Sequence, residues 1–225
     1  MPDIVLSEVE SRRYLEKSGI SMNRFVFVPG RDELIELTRT LRFPLVMKLI
    51  SPKAVHKSDI GGVLLDIANE NELLTGWDTL FANAAAHGIR PEDIEGINVQ
   101  EQIRGVGEIL IGLKRDATFG PVLVLGSGGI LVELLKDVAL GICPLNDNDI
   151  DRMLRKIKGS RLLEGYRGKT KGDMDALRVL IKTVSDMAMD MDDWQEIDLN
   201  PVLVGPEGQG AFAVDARVVI RRKNG

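Results

Sequence analysis

A short apolar run with a single lysine in it constrains the fold of this chain more than any other feature. Residues 44–50 (PLVMKLI) are apolar except for Lys48, and a run of this length and composition predicts a buried strand. A lysine inside such a strand is costly unless its ammonium group meets an anion. A nucleotide phosphate would provide that anion, and a structural carboxylate would serve equally well.

The segment that follows the strand is rich in charge. It places His56, one of two histidines in the chain, beside Lys53 and Lys57, and it ends in a glycine pair at positions 61 and 62. The second histidine, His87, falls at the end of a predicted helix, where a histidine commonly forms a local hydrogen bond. We therefore assign no role to His87.

The order of helices and strands predicts an α+β (mixed α/β) fold, because strands alternate with helices early and pair as hairpins later. A capping pattern at residues 7–10 begins a helix that should stop at Gly19. Further helices are expected at residues 32–42, 70–86, 147–158 and 173–191. Strands are expected at residues 25–28, 44–50, 62–67, 97–103, 108–113, 121–125, 130–135, 196–204 and 211–220. Strands 97–103 and 108–113 should pair with each other, and the next two should extend that sheet.

Composition narrows the class of protein. The chain has 225 residues, 44% of them apolar, and a formal net charge of −5, so non-specific nucleic-acid binding is not expected. Its one cysteine, Cys143, is interpreted as a small buried side chain and points to a reducing compartment. The first residues lack the pattern of a signal peptide, and the longest uncharged stretch, residues 117–132, is too short to span a bilayer. The expected location is the cytoplasm, with no membrane partner.

The sequence lacks the two common glycine-rich phosphate-binding patterns. The sequence contains neither the P-loop pattern nor the dinucleotide-binding pattern, since residues 126–131 (GSGGIL) fail the latter at its last glycine. The glycine loop at residues 126–129 could still present backbone N–H groups to an anion. A tight turn between two strands is the other interpretation, and the sequence favours it slightly.

A row of oxygen-bearing side chains lies near the C-terminus. Glu196, Asp198 and Asn200 alternate with apolar residues, so on a strand they share one face. Such a row resembles a platform for Mg²⁺, which prefers hard oxygen ligands. Asp215 lies inside the apolar run 211–220, where an unpaired acid is costly, and a metal shared by Asn200 and Asp215 on adjacent strands would remove that cost. A solvated face on an edge strand is the alternative for the row.

Eight short motifs in the right order together resemble a known family. They are residues 47–48 (MK), 56–62 (HKSDIGG), 99–101 (VQE), 107–108 (GE), 116–121 (DATFGP), 165–168 (GYRG), 196–201 (EIDLNP) and 214–217 (VDAR). The chain resembles the ATP-grasp domain of NDP-forming acyl-CoA synthetases over nearly its whole length, and in particular the free-standing β subunit of the ADP-forming acetyl-CoA synthetases. The resemblance implies two lobes that clasp a nucleotide, the smaller at residues 23–95 and the larger at residues 1–22 and 96–225.

The resemblance also implies which residues hold ATP or ADP and Mg²⁺. Lys48 would bind the α- and β-phosphates. Gln100 and Glu101 would lie at the hinge that meets adenine and ribose, partly through backbone groups, and Glu108 would reach the ribose or help to close the site. The metal ligands would be Asn200 and Asp215, with Asp198 and Glu196 in supporting positions.

Two further residues would be catalytic by resemblance. His56 would carry a phosphoryl group between the nucleotide and a histidine of a partner subunit, a role that suits an imidazole because it is nucleophilic near neutral pH. Lys53 and Lys57 would offset the charge of the phosphohistidine, and the glycine pair at 61–62 would let the loop swing. Arg167 would steady the transferring phosphoryl group or the partner's loop, and a surface arginine in a mobile loop is the equal alternative.

The resemblance finally implies a partner and a reaction. The CoA-binding part of the family lies on an α subunit, so turnover would need that chain in an α2β2 heterotetramer. The expected reaction is acyl-CoA + ADP + Pi = carboxylate + CoA + ATP. The alternatives are an ATP-grasp carboxylate–amine ligase and a nucleotide-responsive regulatory subunit without turnover.

Overall fold

A computed structural model describes residues 3–54, 57–128, 137–165, 168 and 170–221 of the chain. Most of the helices and strands that the sequence predicts are present in it. The helices are α1 (Glu8–Glu16), α2 (Leu34–Thr38), α3 (Glu70–Ala86), α4 (Asp147–Lys156), α5 (Ser160–Leu163) and α6 (Met174–Asp190). The strands are β1 (Ile4–Val5), β2 (Phe25–Val28), β3 (Leu45–Ile50), β4 (Val63–Ile67), β5 (Gly96–Glu101), β6 (Gly107–Asp116), β7 (Gly120–Ser127), β8 (Val138–Ile142), β9 (Trp194–Val204), β10 (Ala211–Ala213) and β11 (Arg217–Ile220).

The larger of two sheets in the described part of the chain runs in the order β1-β11-β9-β6-β7-β8, with β10 also paired to β9. Every neighbouring pair is antiparallel. One face of this sheet packs against α1, α4 and α6 in a single apolar core. Side chains alternate along each strand, so the residues between the core positions of β6 and β9 lie on the opposite face. The row at residues 196, 198 and 200 is on that opposite face.

The smaller sheet has the order β2-β5-β3-β4, again with antiparallel neighbours. One of its faces forms a second core with α2 and α3, to which Met47, Leu49 and Trp77 contribute. Every residue of β3 is buried, which confirms the prediction of a buried strand around Lys48. Among the alternate positions, which do not enter this core, Lys48 on β3 and Asn98 and Gln100 on β5 carry polar side chains, whereas Val46 and Ile50 are apolar.

Helix ends follow the local sequence. The side chain of Ser7 accepts a hydrogen bond from the Glu10 amide, and the Glu10 carboxylate accepts one from the Ser7 amide, which is the predicted capping box. Helix α3 ends at His87, as predicted, and the His87 ring contacts the carbonyl oxygen of Asn83 over 2.9 Å. The predicted helix at residues 32–42 is shorter, because a 3-10 turn precedes α2 and the helix stops at Thr38.

The chain divides into two compact units, Asn23–Gln102 and Met1–Met22 with Ile103–Gly225. The sequence-based boundary of the smaller lobe at residue 95 therefore falls seven residues earlier than the division in the structure. The reason is β5, which lies between β2 and β3 and hydrogen-bonds to both. A central strand cannot leave a sheet without breaking two ladders, so β5 stays with the smaller unit.

Two predictions about strand pairing are wrong. Residues 97–103 and 108–113 do not form a hairpin, because β5 and β6 belong to different sheets, each with two other partners. The predicted strand 211–220 is interrupted, since β10 ends at Ala213 and β11 begins at Arg217. Asp215 thus lies between two strands rather than inside one. The predicted strand 130–135 lies outside the described residues, and β8 is the strand that pairs with β7.

Within the described residues, no helix combines the length and the apolar character that crossing a membrane requires.

Candidate functional site

The smaller unit presents a buried polar face around Lys48. Lys48 is 7% exposed and stands opposite Asn98 on the neighbouring strand. Gln100 lies two residues further along on the same side of β5, and its side-chain oxygen accepts a hydrogen bond of 3.2 Å from Asn23. All four side chains are buried. Polar groups this deep need partners, so these four side chains form a part of the face that is suited to hydrogen bonding.

Glu101 ends β5 with its own polar groups already engaged. Its carboxylate accepts a hydrogen bond of 3.0 Å from the Arg42 amide and lies 3.4 Å from a guanidinium nitrogen of Arg24. Its backbone amide donates to the carbonyl oxygen of Arg24, and its carbonyl oxygen accepts from Asn23 over 2.7 Å. The backbone groups of Glu101, which are expected to meet a nucleotide, thus form hydrogen bonds to Arg24 and Asn23 within the smaller unit in this structure.

The loop after β3 differs from the sequence-based picture. The ammonium group of Lys53 lies 2.8 Å from the Asp93 carboxylate, so this lysine pairs with a structural acid. Both glycines of the pair form hydrogen bonds, and the carbonyl oxygen of Gly61 accepts one from Asn83 over 2.9 Å. The amide of Gly62 donates to the carbonyl oxygen of Lys57 over 2.7 Å. Of the predicted catalytic residues, His56 and Arg167 both lie outside the described residues.

The larger unit carries the predicted row of oxygen ligands on β9. Ile197 and Leu199 are buried in the core, while Glu196, Asp198 and Asn200 point to the other face, which confirms that the three share a face. A guanidinium nitrogen of Arg217, on β11, lies 2.8 Å from the Glu196 carboxylate. Glu196 is therefore paired, and this leaves Asp198 and Asn200 as the better candidates to bind an ion.

The strand register brings Asp215 level with Asn200. Ala213 pairs with Val202 on one side and Arg217 with Asp198 on the other, so the residue midway along each segment, 215 and 200, stands at the same height. The Val214 amide donates to the carbonyl oxygen of Pro201 over 3.1 Å, which ties the segments together between the strands. The register thus places the backbone of Asp215 level with that of Asn200, although Asp215 is not in a strand, and a metal shared by their side chains stays a prediction.

Electrostatics connect the acids of this face. Burial raises the pKa of Asp198, Arg217 acts to lower it, and the charges of Glu196 and Asp215 raise it further. The carboxylates of Glu196 and Asp215 therefore repel that of Asp198. A bound cation would offset both the cost of burying the Asp198 charge and this repulsion. Within the described ranges there is no group of three or more His, Cys, Asp or Glu side chains arranged as a metal site. A site of Asn200, Asp215 and Asp198 suits Mg²⁺ because that ion keeps waters and substrate oxygens as its other ligands.

Glu108 lies on β6, opposite Leu203 of β9, and its side chain is exposed. Its backbone carbonyl accepts a hydrogen bond of 2.9 Å from the Gly128 amide. A Cβ on Gly128 would lie 2.4 Å from the Glu108 Cβ, so only glycine permits this approach. The part of the glycine loop that the structure describes thus belongs to a close packing of β6 against the end of β7, and residue 129 lies outside it.

Sequence reasoning missed Arg12. This residue lies on α1 with 0% exposure, and its guanidinium donates a hydrogen bond of 3.1 Å to the carbonyl oxygen of Val214. This hydrogen bond thus helps to hold the segment that contains Asp215. The sequence does contain an indication of this role. Val9, Arg12 and Leu15 are spaced as on one buried face of a helix, and a charged side chain in the middle of such a face requires a partner.

The sequence of the chain is similar to that of known proteins. Residues 2–220 match the family model of the ATP-grasp domain. The chain is 34% identical to the acetate–CoA ligase [ADP-forming] I subunit beta of Pyrococcus furiosus, over 96% of this chain and 91% of that subunit. It is 35% identical to a 4-hydroxybutyrate–CoA ligase [ADP-forming] of Nitrosopumilus maritimus over 95% of this chain, but it spans only 30% of that longer relative.

Solved structures give the same result. The dinucleotide forming acetyl-coenzyme A synthetase 1 of Ca. Korarchaeum cryptofilum, in complex with coenzyme A, Ca-AMPCP and HgCl+, superposes with a TM-score of 0.88. The identity is 34%, and the match covers 96% of this chain and 93% of that one. The expected ATP-grasp fold and the resemblance to the β subunits are confirmed: the chain belongs to the ATP-grasp domain family, in the group that contains the β subunits of ADP-forming acetate–CoA ligases.

Proposed function

We propose that this chain is the nucleotide-binding subunit of an ADP-forming acyl-CoA synthetase, with the reaction acyl-CoA + ADP + Pi = carboxylate + CoA + ATP. The observation that carries the proposal is the match to a β subunit over 91% of that subunit's length. Lys48 and the row on β9 keep the charges that phosphoryl transfer needs. These charges argue against a degenerate site, and turnover with a partner chain separates the enzyme from a nucleotide-responsive regulatory subunit.

In this proposal Lys48 binds the α- and β-phosphates of ATP or ADP. Its position in a buried strand fixes the ammonium group and excludes water, and both strengthen its attraction to phosphate. Gln100, also buried, and Glu101 would border the base and ribose, and the family resemblance assigns Glu108 to the ribose or to closure of the site. Removal of Lys48 should therefore weaken nucleotide binding directly.

Mg²⁺ fits the face of the larger unit that bears Asn200, Asp215 and Asp198. When bound, the ion would neutralise charge on the phosphate oxygens as the phosphoryl group transfers. The residues of the chain contribute oxygen ligands at the same level of two neighbouring segments. Burial, together with the charges of Glu196 and Asp215, raises the pKa of Asp198, and a cation bound at this face would oppose that shift.

His56 is proposed as the phosphoryl acceptor. A lone pair of its neutral imidazole attacks the γ-phosphorus of ATP, so an N–P bond forms. The bond between that phosphorus and the β,γ-bridging oxygen breaks, and ADP leaves with the electron pair. Arg167 would offset charge on the transferring group. These two roles rest on the family resemblance and on the sequence positions of the residues.

A separate CoA-binding chain would complete the enzyme. The longer relatives carry about 70% of their length outside the matched region, since the chain spans 30% of the Nitrosopumilus ligase, whereas the Pyrococcus subunit is nearly fully matched. We propose an α subunit in an α2β2 assembly, located in the cytoplasm, where the free buried thiol of Cys143 would stay reduced.

The test is reconstitution with candidate CoA-binding chains from the same genome. ATP formation from acetyl-CoA, ADP and phosphate should appear with one partner and should disappear when Lys48→Met replaces the wild-type chain. ATP-dependent ligation of a carboxylate to an amine, without any CoA requirement, would replace this function with that of a carboxylate–amine ligase. Binding of Mg·ATP without turnover in every pairing would favour a regulatory subunit.

A further inference from the structure

Asn23, the first residue of the smaller unit, has a buried side chain at one end of that unit's sheet. It is 3% exposed. It stands two residues before Phe25, which pairs with Gln100 of β5, so the chain here runs alongside the end of β5. The Glu101 amide donates a hydrogen bond of 2.9 Å to the carbonyl oxygen of Arg24, which ties the approach to β2 to the last residue of β5.

One nitrogen atom of Asn23 donates two hydrogen bonds. Its Nδ2 lies 2.7 Å from the backbone carbonyl oxygen of Glu101 and 3.2 Å from Oε1 of Gln100. Gln100 is 1% exposed, so the hydrogen bond between the two side chains is buried at both ends. Asn23 therefore contacts both of the residues that are proposed to border the base and ribose of the nucleotide.

The backbone carbonyl decides which way the two side-chain amides face. A carbonyl oxygen can only accept, so the atom of Asn23 that meets the Glu101 carbonyl must be its nitrogen. That nitrogen can only donate, so the atom of Gln100 that it meets must be the amide oxygen. Nε2 of Gln100, at the other corner of the planar amide, is therefore directed away from Asn23. The orientation of Gln100 thus follows from a backbone group two bonds of the network away.

Burial makes this orientation difficult to reverse. If the Gln100 amide turned over, two NH2 groups would face each other, and its oxygen would lose the donor that Asn23 provides. Water would not readily compensate for that loss, because both side chains are almost fully buried. The Gln100 side chain is therefore held in one orientation before any ligand binds, which lowers the ordering cost of binding.

We propose that Asn23 is a positioning residue of the nucleotide site, which fixes the Gln100 amide so that its NH2 group is presented to the nucleotide as a hydrogen-bond donor. An NH2 group accepts nothing, so the part of the nucleotide that meets it must be an acceptor, such as a ring nitrogen of the base or a ribose oxygen. This inference rests on the proposed function for the assignment of Gln100 to the nucleotide. The orientation of the amide rests on the contacts of described residues.

The first test is an NMR measurement on the side-chain amides of the full chain without nucleotide, with Gln100→Ala to assign the Gln100 resonance. The NH2 protons of Asn23 should exchange with solvent at least about tenfold more slowly than those of Asn71, which is exposed on α3. No strong nuclear Overhauser contact should join the NH2 groups of Asn23 and Gln100. Fast exchange at Asn23, or a strong contact between the two NH2 groups, would overturn the proposed orientation.

The second test asks whether Asn23 acts through Gln100. Calorimetric titration with Mg·ATP, well below the midpoint of thermal unfolding, compares Asn23→Ala, Gln100→Ala and the double variant, with Asn71→Ala as the control. Each of the first two should weaken binding about five- to tenfold, and the control should bind as wild type does. In the Gln100→Ala background, Asn23→Ala should cost less than about twofold more.

A merely structural role of Asn23 predicts a different pattern. A general loss of stability would weaken binding by the same factor whether or not Gln100 is present, so two effects that multiply would overturn the positioning role. Wild-type affinity in Asn23→Ala would overturn it as well. If the wild-type chain does not bind Mg·ATP, the proposed function fails, and the NMR measurement still decides whether Asn23 orients Gln100.

Discussion

The guanidinium of Arg12 donates a hydrogen bond of 3.1 Å to the carbonyl oxygen of Val214, the residue before Asp215. Burial lowers the pKa of Arg12, and the negative charges of Glu8 and Asp215 act in the opposite direction. Arg12 is fully buried on α1. A buried cation on one helix thus holds the segment that brings an acid level with Asn200 on β9.

Replacement of this arginine should be costly. Arg12→Ala leaves a cavity, removes the hydrogen bond to Val214 and leaves nearby acids uncompensated, so the free energy of unfolding should fall by about 3 kcal/mol. Arg13→Ala, at the exposed neighbouring position of the same helix, should change it by less than about 0.5 kcal/mol. Denaturant titration of both variants measures the difference. Similar values for the two would show that Arg12 does not support the 214–216 segment.

Asp137 should make the chain sensitive to acid. Its carboxylate accepts hydrogen bonds from the Ser127 hydroxyl over 2.5 Å and from the amides of Lys158 and Gly159 over 2.7 and 3.1 Å. Burial acts to raise the pKa of Asp137, but these hydrogen bonds outweigh it and lower the pKa. The ionised form is therefore favoured by folding.

The sign of the pH dependence follows from that shift. The stabilisation is present above the pKa of an unfolded aspartate, about 3.9, and is lost as the pH falls through the lower folded-state value. Asp137→Asn should reduce the free energy of unfolding at neutral pH by about 2 kcal/mol, and its difference from wild type should shrink in acid. Asp190→Asn, at an exposed helix end, is the control. A difference from wild type that stays constant down to pH 3 would contradict this account.

Lys48→Met should separate binding from folding. The substitution removes a buried charge and keeps most of the volume, so the variant should still fold and unfold in one cooperative thermal transition. Affinity for Mg·ATP should drop by about 10- to 100-fold, the usual loss when a charge-assisted hydrogen bond disappears. Lys17→Met, at an exposed position after α1, should bind as wild type does. Calorimetric titration with Mg·ATP provides the numbers, and wild-type affinity in Lys48→Met would exclude this lysine from the nucleotide site.

Asn200→Ala and Asp215→Asn should each raise the Mg²⁺ concentration needed for nucleotide binding. Loss of one oxygen ligand or of one negative charge should shift the half-saturating concentration at least about tenfold. Binding measured with nucleotide alone, in the presence of a chelator, should remain close to wild type in both variants. Loss of metal-free binding as well would indicate disturbed folding of the face rather than a lost metal ligand.

Local sequence signals predicted much of this fold. The capping box at Ser7 and the buried strand around Lys48 follow from short-range rules, and both are present in the structure. The row at Glu196 to Asn200 was predicted because alternation along a strand assigns faces without knowledge of the neighbours. These features depend on residues that are close in sequence.

Pairing between distant strands was not predictable in the same way. The hairpin expected between residues 97–103 and 108–113 fails because β5 pairs with β2 and β3, a choice decided by the cores of two separate units. The buried role of Arg12 depends on a carbonyl group 202 residues away. The hydrogen bond from Asn83 to Gly61 likewise depends on a helix that begins eight residues after the loop, so short-range rules do not indicate it.

The central claim is that the chain accepts a phosphoryl group from ATP on His56. The chain has two histidines, so His87→Ala is the matched control for His56→Ala. After incubation with γ-labelled ATP and Mg²⁺, wild type and His87→Ala should carry acid-labile, base-stable label, and His56→Ala should carry none. Equal label in all three proteins, or none in wild type despite measured Mg·ATP binding, would contradict the claim that His56 is the acceptor.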